Sequence, residues 1–132
     1  RTYFEAAEWV RNQGEPGDSV LVGEVGVLGW ALPEFQVIDS AGINSQRVYE
    51  IRSRVAELMK NRGETVQSPE MGSIGWVYRV IDEMKPDYIV SMDKLLWLSQ
   101  IEHDPVFRDD YEKRRIFQER LAYPVFAYER AE

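Results

Sequence analysis

The chain has no cysteine and one histidine, His103, among its 132 residues. A disulfide framework and a thiolate metal site are therefore excluded, and a multi-histidine zinc site cannot be built; any metal would be a hard cation held by carboxylates. The missing cysteines do not fix the redox compartment, since exported domains need not use disulfides. Basic residues are also in deficit: 16 Lys and Arg face 23 Asp and Glu, a formal charge of −7 with a pI near 4.8. That balance opposes counterion release, and no basic stripe with interleaved aromatics offsets it, so no nucleic-acid partner is expected. There is no apolar run of about 18 residues to span a membrane, and no signal-peptide pattern. The sequence opens on Arg1 rather than methionine, and the expectation is a fragment of a longer protein, with a processed chain as the alternative.

What is present argues for a folded core. Hydrophobic residues make up 44% of the chain, with seven Tyr, five Phe and four Trp, enough large side chains to offset the entropy of ordering the backbone. The length suits one domain over 1–132. Phe4, Ala7 and Val10 lie about a turn apart and predict a helix over 3–13, stopped by Gly14-Glu15-Pro16-Gly17-Asp18. Ser19 to Val22, Gln36 to Ile38 and Tyr88 to Ser91 read as buried strands, because aliphatic and β-branched residues run on without polar alternation. Val48, Ile51, Val55, Leu58 and Met59 give a helix over 46–62, and Ile74, Val77, Ile81 and Met84 another over 73–84. Between them, 63–69 reads as a flexible stretch. Leu95 to Ser99 reads as a helical turn, Asp104-Pro105 as a breaker, and 109–115 as a charged surface segment. Ile116 to Leu121 and Val125 to Tyr128 suggest a hairpin, with a helix running through Arg120 as the alternative. The fold class expected is a three-layer-like α/β sandwich around a small, largely parallel sheet, with a C-terminal antiparallel strand pair.

In such sheets pockets form at the carboxyl ends of the strands. Those ends carry Gly23-Glu24, Asp39 and Ser91 to Asp93, which should meet at one edge. The glycines at 23, 26 and 29 follow a strand at G-x-x-G-x-x-G spacing. A dinucleotide loop needs G-x-G-x-x-G, and a phosphate loop needs its lysine, so these glycines read as structural, in a segment that starts a short helix or a turn. Glu24, Asp39 and Asp93 are suited to hydrogen-bonding sugar hydroxyls or holding a divalent cation such as Mg²⁺ or Ca²⁺; acids at strand ends are equally ordinary caps and loop residues. Trp30, beside the glycine turn, is the tryptophan placed to stack on a sugar ring, whereas Trp9, Trp76 and Trp97 read as packing. His103 has no serine or cysteine elbow to serve and reads as an exposed loop histidine.

Several of these pieces, in this order, resemble a known class. Trp9-Val10-Arg11-Asn12 leads into Glu15-Pro16-Gly17-Asp18-Ser19-Val20-Leu21-Val22, then Glu24-Val25-Gly26-Val27-Leu28-Gly29-Trp30, Val37 to Ile43, and Lys85-Pro86-Asp87-Tyr88-Ile89-Val90. The pattern resembles the extracytoplasmic C-terminal domain of GT-C-class polytopic membrane glycosyltransferases, the relatives of protein mannosyltransferase and aminoarabinose transferase. Residues 48–84 supply helices that the pattern does not cover. The resemblance implies an accessory soluble domain of an enzyme using a lipid-linked sugar donor. Its partners would be the transmembrane part of the same parent chain and a glycan or other acceptor. It also implies an extracytoplasmic, membrane-associated location. Catalytic residues would belong to the membrane part, leaving none here, with Glu24, Trp30, Asp39, Asn44 and Asp93 as candidate ligand contacts. Two other readings stay open: a free-standing small-ligand-binding protein or enzyme with a cation at the acidic edge, and a structural interaction module marked by an exposed apolar patch.

Overall fold

The computed structural model describes residues 2–42, 44–63, 72–119 and 123–131. Helix α1 (Thr2–Gln13) leads to strand β1 (Ser19–Val22), helix α2 (Val25–Ala31), strand β2 (Gln36–Asp39), and helices α3 (Gln46–Asn61) and α4 (Gly72–Met84). Strand β3 (Tyr88–Met92) follows, then the short helices α5 (Asp93–Leu96), α6 (Leu98–Ile101) and α7 (Pro105–Asp110), and strands β4 (Tyr111–Phe117) and β5 (Val125–Arg130). The expected flexible stretch at 63–69 lies, apart from Gly63, outside the described residues.

The strands form one five-stranded sheet in the order β2-β1-β3-β5-β4. β1 pairs in parallel with β2 and β3, whereas β3–β5 and β5–β4 are antiparallel. The protein is thus mixed α/β, and the largely parallel sheet expected from the sequence is corrected. Its parallel half is built by crossovers through α2 and through α3 and α4. The connection from β4 to β5 is too short for a crossover and can only turn the chain back antiparallel.

Period-2 alternation splits the core between two apolar clusters. Val20, Val22, Tyr88, Val90, Val125 and Ala127 join Ala6, Ala7, Val10, Leu28 and Leu32 of the α1–α2 segment. Leu21, Ile38, Ile89 and Tyr128 join Val48, Ile51, Val77, Val80 and Ile81 of α3 and α4. Leu21 and Ile89 are completely buried, as are Val20 and Val90 beside them, which explains the unbroken apolar runs of β1 and β3.

Two expectations about the C-terminal third are corrected. Asp104-Pro105 does not break structure; Asp104 caps α7, its carboxylate accepting from the amides of Val106 (2.9 Å) and Phe107 (3.3 Å), with Pro105 in the first turn. The charged segment is mostly strand: β4 takes residues 111–117 and pairs with β5, with a register irregularity between Lys113 and Arg115. The expected antiparallel pair is thus present, but its first strand runs from Tyr111 to Phe117, and residues 120–122 of the expected strand and turn lie outside the described residues.

Candidate functional site

The parallel register carries the candidate residues to one edge. Val22 lies opposite both Asp39 of β2 and Val90 of β3, so Glu24, Ser40 and Asp93 follow at adjacent strand ends. With the order β2-β1-β3, the chain changes direction between β1 and β3, the place where open α/β sheets form a crevice. Here the crevice is closed at Gly23. A Cβ on Gly23 would collide with the Ser91 hydroxyl and come within 2.9 Å of the Leu95 Cβ. The Gly23 carbonyl in turn accepts from the Ser40 hydroxyl (3.3 Å). Glycine is used at this position for close packing.

The five candidates have different surroundings. Asp39 is 1% exposed, and its Oδ1 accepts from the Ala41 amide at 2.9 Å, shaping the loop after β2. Arg52 holds that loop from α3, donating to the carbonyls of Ala41 (2.9 Å) and Ser40 (3.4 Å) while its guanidinium lies 4.3 Å from the Trp76 ring centroid. Asp93 accepts from both the amide and the hydroxyl of Ser99, each at 2.7 Å, and so fixes the α5–α6 turn. Asn44 is exposed in the loop leading to α3. Among the described residues, no group of three His, Asp or Glu side chains is gathered to hold a metal.

Glu24 and Trp30 face solvent from α2. Glu24 occupies the N-cap position without capping through its side chain. Trp30 is 78% exposed and meets Phe4 of α1 edge-to-face, ring centroids 6.4 Å apart; Phe4 is itself half-exposed. Buried Leu28, Ala31 and Leu32 anchor the helix beneath, and Arg11 donates to the Ala31 carbonyl at 2.8 Å. Behind Glu24, the Tyr3 hydroxyl has its pKa raised, first by burial and then by the Glu24 carboxylate.

A second polar site escaped sequence reasoning. An open cleft of about 520 Å³ is lined by Glu102 and His103 of the α6–α7 turn, Phe107 and Arg108 of α7, Tyr111 and Lys113 of β4, and Tyr128 of β5. Glu102 Oε2 accepts from the Tyr128 hydroxyl at 2.5 Å and pairs with Lys113 Nζ at 2.8 Å. Lys113 Nζ also lies 4.5 Å from the Phe126 ring centroid. Burial pushes the Glu102 pKa up, but the hydrogen bonds from Lys113 and Tyr128 outweigh it and hold the carboxyl below its ordinary value. The Tyr128 phenol is pushed up, by burial first and then by its bond to Glu102. These residues lie far apart in sequence, and no local spacing announces them.

The fold and its edges define a mixed α/β domain whose polar features sit at strand ends and on the β4–β5 side. The chain belongs to the family described as a domain of unknown function, DUF8728, whose model matches residues 1–130. No curated protein and no solved structure matches it significantly.

Proposed function

We propose that this chain is the accessory, extracytoplasmic domain of a membrane glycosyltransferase that uses a lipid-linked sugar donor. In this reading it packs over the membrane part of its parent chain and helps recognise the sugar or acceptor. The observation that carries the reading is the Phe4–Trp30 ring pair, solvent-facing on α1 and α2, with Glu24 at the start of the same short helix. An exposed indole offers a flat apolar face to a sugar ring or a neighbouring surface and a polar N–H at its edge, and a nearby carboxylate accepts from hydroxyls. Asp39 and Asp93 serve this edge by fixing its loops, and Asn44 extends it. The helices are read as layers on both faces of the sheet, giving the domain a rigid body on which α2 is carried. No helix among the described residues is long and apolar enough to cross a membrane, so the reading assigns membrane attachment to the parent chain.

The test is transfer by the full-length parent enzyme. Trp30→Ala and Glu24→Ala should each lower sugar transfer severalfold while the enzyme still reaches the membrane. Transfer unchanged by both substitutions would overturn the reading. The chain on its own should transfer no sugar, because the resemblance places the catalytic acid in the membrane part.

A further inference from the structure

We propose that the cleft between α7 and the β4–β5 hairpin binds a small hydroxylated oxyanion, such as a sugar phosphate or a sugar carboxylate. This site is separate from the Trp30 edge and does not depend on the parent-chain reading. The chain carries seven more acidic than basic charges, yet this cleft reverses the balance. Its lining has two permanent cations, Arg108 and Lys113, one histidine and a single carboxylate, Glu102.

The partners of these groups show what is left for a ligand. Lys113 and Tyr128 both engage the same oxygen of Glu102, Oε2. The other oxygen, Oε1, has no donor among the described residues and can accept from a ligand hydroxyl. Arg108, in the last turn of α7, makes no ion pair or side-chain hydrogen bond among the described residues. A guanidinium free of a carboxylate is suited to bidentate capture of a phosphate or carboxylate. Lys113 is held against the Phe126 and Tyr128 rings, 4.5 Å and 5.9 Å from their centroids, so its ammonium is positioned before anything binds. The wall behind is rigid. Phe107 stacks on Tyr111 at 5.2 Å and meets Tyr128 edge-on at 5.4 Å, and all three rings are buried. The cleft thus offers one held ammonium and one guanidinium available for an oxyanion, with one held acceptor for an adjacent hydroxyl, and it is open enough for a monosaccharide-sized ligand.

His103 lines the cleft and is the chain's one histidine, so its imidazole proton resonances report on the site without any labelling variant. Glucose 1-phosphate and glucuronate, titrated separately into the protein, should shift the His103 resonances saturably, and glucose should not. Inorganic phosphate should bind more weakly than glucose 1-phosphate, because it brings no sugar hydroxyl to Glu102. Arg108→Gln, a change of an exposed side chain, should weaken binding about tenfold, the worth of one charge-assisted contact. The absence of a saturable shift with either sugar acid would overturn the proposal. So would affinities unaffected by Arg108→Gln, or phosphate binding as tightly as glucose 1-phosphate, which would indicate nonspecific charge attraction.

Discussion

At Gly23, on the strand edge, a single methyl group is too much. Its Cβ would meet the Ser91 hydroxyl and the Leu95 side chain. Gly23→Ala should therefore destabilise the fold by about 1–3 kcal/mol, read as a lower urea midpoint with unchanged slope. Adding Ser91→Ala removes the closest atom and should restore part of the loss; a midpoint unmoved by Gly23→Ala would show that the β1–β3 edge has room. Trp30 gives the opposite case. Its ring is largely exposed, so Trp30→Ala should change stability by no more than about 0.5 kcal/mol, and under the proposed function any loss of sugar transfer would then be one of recognition, not folding. The site residues differ in how far sequence could place them. Glu24, Asp39 and Asp93 were legible as strand-end acids because each follows a short apolar run. That Asp39 is buried in its own turn and Asp93 bound to Ser99 was not legible, since both depend on how the following loop closes.

Among the elements, α1, α3, α4 and β1 to β3 were readable because each carries its own signal, an apolar stripe at helical spacing or an unbroken aliphatic run; α2, with Gly26 and Gly29 inside it, was readable only as a short helix or a turn. The C-terminal third was not. β4 is an edge strand whose central residues, Glu112 to Ile116, are all exposed, so no face repeats an apolar pattern, and pairing with β5 alone makes it a strand. Charged side chains on such an edge also guard against pairing with other chains. Asp104-Pro105 misled for a related reason: the residues that interrupt a helix in its interior start one when the aspartate caps and the proline takes the first turn. Asp104→Ala should accordingly cost about 1 kcal/mol and loosen α7, detectable as faster amide exchange at Val106 and Phe107. Unaltered exchange there would remove the cap from the account. Because α7 forms one wall of the oxyanion cleft, the same substitution should also weaken ligand binding at Arg108.

For the molecule as a whole, stability should fall at both ends of the pH range. Glu102 has a lowered pKa in the fold, so its contribution is present above the unfolded carboxyl pKa and is lost as pH falls through the folded one; Glu102→Gln should flatten the acid limb of a stability–pH curve. Tyr88 is pushed up to about 12, by burial first and then by Glu129, Asp18 and neighbouring carboxylates. Its contribution is complete below the ordinary phenol pKa of about 10 and disappears as pH rises toward 12. Tyr111 and Tyr128 are shifted in the same direction. Thermal unfolding should thus drop steeply in alkali, and Tyr88→Phe should lessen the drop; an alkaline limb identical in the variant would contradict the assignment.

The proposed setting of the chain is that of an accessory domain carried by a membrane enzyme. The most direct measurement is to sequence the reading frame upstream of Arg1 and scan its translation with a window of about 19 residues for membrane-spanning helices. The account predicts several spans, with an acidic residue in the first external loop. An initiating methionine or a cleaved leader immediately before Arg1 would contradict it.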